Sequence, residues 1–165
     1  ETCLIGVLAG AAGGIAEILW IGLYGAVSGN DTTELAWSIV TVVGAIVPLS
    51  PFLSAPVASG LAIHMFAAVA LGIALAFAWR ALSLRNLVGG NEYRFLPAAL
   101  AIIWAFNFFV LLPLISPYFG GLHRNFTEII PYSVSLPSKI LFGLAVAAVL
   151  TVARKTGAQS VLVRI

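Results

Sequence analysis

At 165 residues, with 61% hydrophobic and only 8% charged side chains and a mean hydropathy of +1.09, the chain lies outside the range of water-soluble domains. Its formal charge of +2 comes from eight Lys and Arg against six Asp and Glu, too few and too scattered for a nucleic-acid surface. A single cysteine, Cys3, excludes an internal disulfide.

About 20 consecutive apolar residues cross the roughly 30 Å of a bilayer core. Residues 3–28, 56–81, 95–116 and 129–153 each meet that length. They predict an all-α integral membrane protein with one domain over residues 1–165, a four-transmembrane-helix bundle made of two antiparallel hairpins. The first run is too long for the apolar core of a signal peptide and is read as a mature helix.

The first span contains "GVLAGAAGGIAEILWIGLYG", in which Gly6, Gly10 and Gly14 repeat at the four-residue spacing that lets helices approach closely. At 100° per residue Glu17 falls on the same stripe, so it is expected to face protein. The following "NDTTELAWSIVTVVGAIVPLSP" opens with capping residues Asp31 and Thr32. Its apolar run to Val47 is about 13 residues, or roughly 20 Å, too short to cross. Pro48, Pro51 and Pro56 end it, so residues 32–47 are expected to form an interfacial or re-entrant helix in the first outer loop.

The second span places His64 among Gly60, Ala67, Ala68 and Leu71, while Met65 points about 100° away around the helix. Gly89, Gly90 and Asn91 then turn a short basic loop, making spans two and three a hairpin. The third span carries "WAFNFFVLL", an aromatic face suited to lipid or to a neighbouring chain. Asn107, flanked there by Trp104 and Leu111, is expected to meet a neighbour helix or another subunit. The outer loop with Tyr118 and Tyr132 should lie along the membrane surface. The fourth span presents Lys139, with Gly143 continuing its stripe toward Ala147.

Spans two and four echo each other, with His64 aligned to Lys139, and spans one and three share Trp20 and Trp104. Duplication of a helical hairpin produces such a pattern. Arg80, Arg85, Arg94, Arg154, Lys155 and Arg164 are six of the eight cations, and all fall on one side of these spans. The positive-inside rule makes that side cytoplasmic, with both termini there and a bacterial inner membrane as the expected location. Asp31, Glu34 and Glu128 then lie outside with Arg124.

Counting 1.5 Å per residue from the expected span ends, Glu17 sits roughly 16 Å below the outer boundary and His64 and Lys139 roughly 12 Å. A charge at the bilayer centre costs about 2.5–3.5 kcal/mol on insertion scales, so these groups are expected to pair. Glu17, His64 and Lys139, with Asn107 as a hydrogen-bonding member, therefore form the candidate buried polar cluster. Gly6, Gly10, Gly14, Gly60 and Gly143 are the candidate packing positions. The cluster fits a structural salt bridge, a proton or ion path, or a metal or haem site with His64 as ligand. The last is weakest, because His123 lies in an outer loop and no second membrane histidine exists, so neither metal nor other cofactor is expected.

No nucleophilic triad, phosphate loop or His-Glu-x-x-His occurs, which argues against an enzyme. The expected role is a non-catalytic accessory subunit of a larger membrane complex, contributing helix packing and the polar cluster. Its partners would be the lipid bilayer and other membrane subunits, not nucleic acid. A small proton- or ion-conducting transporter is the alternative, and a haem- or metal-binding membrane protein with His64 as ligand is the second.

Overall fold

The computed structural model describes residues 1–29, 33, 34, 36, 56–85, 91–115, 117 and 127–157, and no strand occurs among them. Four helices are long and apolar enough to cross a bilayer. They are α1 (Thr2–Ser28), α2 (Pro56–Leu84), α3 (Glu92–Ile115) and α4 (Tyr132–Lys155). Of the expected outer helix over residues 32–47, only Thr33, Glu34 and Ala36 are described, and these are helical; the rest lies outside the described residues, as does most of the second outer loop.

The helix ends follow local chemistry more closely than hydropathy. α1 stops where Gly29 takes a left-handed φ of 72° and donates its N–H to the Gly25 carbonyl at 3.0 Å, a conformation that glycine adopts without a Cβ penalty. α3 starts at Glu92, three residues before the expected edge, because an acid in the first turn suits the positive end of the helix dipole. α4 starts at Tyr132, not at residue 129. Pro131 caps it, its carbonyl accepting from the Val134 and Ser135 amides at 2.9 Å each. Arg154 and Lys155 extend the other end of α4, where cations suit the dipole.

Neighbouring helices pack in the order α2, α1, α4, α3. The glycines explain why α1 is an inner member. A Cβ on Gly6 would stand 2.6 Å from Ile73 Cα, and one on Gly10 would stand 2.7 Å from Val69 Cα. Both obstacles are backbone, so α1 and α2 touch with nothing between them. On its other side α1 receives the Phe142 ring of α4 over Gly13, where a Cβ would meet the ring at 2.8 Å. α4 then meets α3 where Gly143 faces Pro97, with 2.7 Å between a built Cβ and Pro97 Cα.

The core lies mainly in the half of the bundle that holds Thr2 and Lys155. Ala9, Leu75, Leu96, Leu100, Phe142, Val146 and Leu150 are buried there, and the Trp79 and Phe95 rings meet at 5.7 Å to bring α2 and α3 together. In the other half Trp104, Phe108 and Leu112 of α3 pack against Leu136, and Tyr132 sets its ring edge against Trp104 and Phe108 at 5.8 and 5.5 Å. Large apolar side chains, among them Leu4, Leu8, Ile15, Leu19 and Leu23 of α1, point outward while the small residues point inward. That is the distribution expected when the surrounding solvent is lipid.

Asn107–Leu111 forms a π-helical turn inside α3, the Leu112 amide reaching back to the Asn107 carbonyl. We assign this turn to Pro113, whereas Pro97 and Pro137, each near the start of its helix, leave theirs regular. The Pro113 ring would collide with the Phe109 carbonyl in a regular α-helix and it has no N–H to donate, so the turn before it widens. Pro113→Ala should therefore restore regular α geometry over Asn107–Leu111 and stabilise the fold by about 1–3 kcal/mol. Backbone NMR of this turn checks it; a π turn that persists in the variant removes Pro113 as the cause.

Candidate functional site: a polar cluster between three helices

Glu17 sits one turn beyond the close approach of α1 and α2. Gly14 has no side chain, and Ala68 Cβ and Met65 Sδ fill the space, at 2.8 and 3.0 Å from where a Cβ would be. This brings His64 level with Glu17, and the Gly14 carbonyl also lies close to the imidazole. From the opposite side Phe142 seats on Gly13 and sets the register that carries Ser138 and Lys139 to the carboxylate.

Glu17 is 7% exposed, and its two oxygens have different surroundings. Oε1 receives both cation and hydroxyl: Lys139 Nζ donates to it in a direct ion pair, and Ser138 Oγ lies 3.1 Å away. Oε2 faces His64 Nε2 at 3.9 Å, beyond hydrogen-bond length, and that buried nitrogen has no hydrogen-bond partner among the described residues. The lysine and histidine side chains retain 29% and 23% of their exposure, so the cluster is closed around the acid and open at its rim.

Ser138 has one hydroxyl hydrogen and two acceptors in range, Glu17 Oε1 and the Ser135 carbonyl at 2.7 Å. Ser135 Oγ in turn accepts from Trp104 Nε1 at 2.7 Å. A polar chain thus crosses the bundle from α1 through α4 to α3. Trp20 Nε1 reaches the same end of α4, donating to the Val134 carbonyl at 3.0 Å. The two tryptophans that echo each other in the sequence therefore both anchor the first turns of α4.

The structure brings Glu17, His64 and Lys139 together and leaves Asn107 apart. Asn107 is half-buried at the start of the π turn, its carbonyl accepting from the Leu112 amide. Trp104, one turn earlier, supplies the α3 contribution instead. Gly6, Gly10 and Gly14 all lie on the α1 and α2 contact, whereas Gly60 meets Ala36 of the outer segment, with 3.0 Å from a built Cβ to Ala36 Cα. Gly143 turns toward α3 and so leaves the stripe of Lys139. Ser135 and Ser138 escaped the sequence reading, and Trp104 entered it only as the echo of Trp20 and a neighbour of Asn107; the three-residue spacing of two serines beside a membrane lysine was the available signal.

A second charge pair was also missed. Glu92, 2% exposed, lies with its Oε1 2.9 Å from Arg154 Nη1, a charge contact without an aligned hydrogen bond. Thr151, one turn before Arg154, is buried with its hydroxyl unpartnered among the described residues. Nearby Arg80 Nη1 donates to Thr2 Oγ1 at 3.0 Å. These contacts put Thr2, Arg80, Glu92 and Arg154 at one end of the bundle.

For metal chemistry, no three of His, Cys, Asp and Glu gather among the described residues. The nearest cation to the His64 and Glu17 pair is Lys139 itself. The chain matches no protein family, no curated protein and no solved structure.

Proposed function

We propose that this chain is an integral membrane protein whose four helices cross the bilayer as antiparallel neighbours, and that it serves as a non-catalytic accessory subunit of a larger membrane complex. Both termini lie on the cytoplasmic side, and a bacterial inner membrane fits the basic character of that side. The observation carrying this reading is the closure of the cluster: Lys139 and Ser138 both engage Glu17 Oε1, so the buried charge is used in joining α1 to α4. The short connection between Leu84 and Glu92 adds no domain that could do chemistry. Outward apolar side chains such as Ile102, Phe106, Phe109 and Leu114 of α3 offer a flat surface to lipid and partner helices.

Purification in mild detergent from the native membrane tests the role. Other chains at fixed stoichiometry are expected; one stable polypeptide migrating alone counts against a subunit role.

A second reading, a small proton or ion conductor, draws on His64. Its unpartnered Nε2 faces the Glu17 oxygen that Lys139 leaves free, and an acid beside an imidazole is a pair that can pass protons. Reconstituted vesicles under a pH gradient test it. A parent that conducts and a Glu17→Gln variant that does not would favour the conductor, and no flux in the parent would remove it.

A further inference from the structure

The described cations at the Thr2 end divide by what they touch. Arg80 is engaged with Thr2, and Arg154 lies against Glu92. Arg85, Arg94 and Lys155 are exposed, and none of them meets a carboxylate among the described residues. The sequence offers them few: over residues 80–94 and 151–165 the only acid is Glu92, already occupied, and Glu1 is the one other acid at this end. The three free cations stand just past the end of α2, in the first turn of α3 and at the end of α4.

Their depth is as specific as their charge. Arg85 follows Leu84, which is 62% exposed; Arg94 follows Tyr93, 48% exposed; Lys155 stands one turn beyond Val152, 59% exposed. Each cation thus borders an outward apolar or aromatic side chain, at the level where interfacial rings and snorkelling bases meet headgroups. We propose that Arg85, Arg94 and Lys155 form a ring that recruits anionic glycerophospholipids around this end of the bundle. The proposal rests on the membrane reading above. An acidic protein partner would be served by cations gathered on one projecting segment, whereas these are spread around three helix ends at the edge of the apolar belt. Each Lys or Arg near an anionic surface strengthens attraction about five-fold, and the effect is lost within a Debye length.

The test is lipid selectivity of the full chain in phosphatidylcholine vesicles containing a minor share of phosphatidylglycerol, read by spin-labelled lipids that become motionally restricted at the protein. Wild type should restrict labelled phosphatidylglycerol several-fold more than labelled phosphatidylcholine. Selectivity should fall to parity in R85Q/R94Q/K155Q, survive in R85K/R94K, and survive in R154Q, whose loss should appear as lower thermal stability. Equal restriction of both lipids by wild type overturns the ring and leaves the membrane reading standing. No restricted lipid at all overturns the membrane reading itself. Undiminished selectivity in the triple variant also overturns the ring. If that variant does not insert, 1 M salt applied to wild type decides, because a charge-driven preference must disappear there.

Discussion

Lys139→Met should destabilise the protein by about 3 kcal/mol, because it leaves the Glu17 carboxylate buried with Ser138 as its nearest remaining donor. The figure is taken at the low end of the range for broken buried pairs, since the lysine is partly exposed. The diagnostic comparison is the double variant E17Q/K139M. Removing both charges abolishes the attraction and the desolvation cost together, so the double variant should be markedly more stable than K139M alone. Loss of helicity in a denaturing-detergent titration measures this. Equal stabilities for K139M and the double variant would show that Glu17 carries no charge that needs Lys139, and the account of the cluster would fail.

Gly10→Ile should cost about 3 kcal/mol, the upper end for overpacking, for a different reason. The new side chain meets the Ala68 carbonyl and Val69 Cα, backbone atoms that cannot rotate away. The only relief is for α1 to move off α2, and that motion would carry Glu17 away from His64. Gly22 provides the control. A Cβ there meets nothing within 4 Å, so Gly22→Ala should be neutral or stabilising by up to about 1 kcal/mol through helix propensity alone. If both glycine variants behave alike, close approach is not what the glycines of α1 provide.

The four helices were legible because hydropathy and length suffice to find apolar runs of this size, and their edges shifted where polar residues belong to a helix. Glu92 and Arg154 are the example: a hydropathy reading ends a span before its charges, yet each belongs to the terminal turn whose dipole it complements. In the site, Glu17, His64 and Lys139 could be brought together on paper because each is rare in its helix and lies at a similar depth. Asn107 joined them on rarity alone, with its face expected to meet a neighbour helix or another subunit. Rarity alone does not fix the azimuth of a residue, and Asn107 stands where α3 passes into its π turn. Ser135 and Ser138 were passed over for the opposite reason, since serine is common enough in apolar helices that its presence alone says little. Their role comes from register against Trp104 and Glu17, which only the packing of Phe142 on Gly13 supplies.

The order of neighbours sets α1 beside α4, although α2 and α3 separate them in the chain. Glu17 and Lys139 are separated by 122 positions in the chain, so a ribosome delivers the acid to the bilayer long before its base exists. During that interval α2 can already seat on the glycines of α1, and His64 is the one cluster side chain present to attend the carboxylate. Under the membrane reading, biogenesis therefore passes through a half-built stage in which Glu17 lacks the Lys139 and Ser138 donors of α4 and must borrow another protein's polar group. Release from the insertion machinery should come only after α4 emerges, and nascent chains halted before Lys139 should remain bound to it.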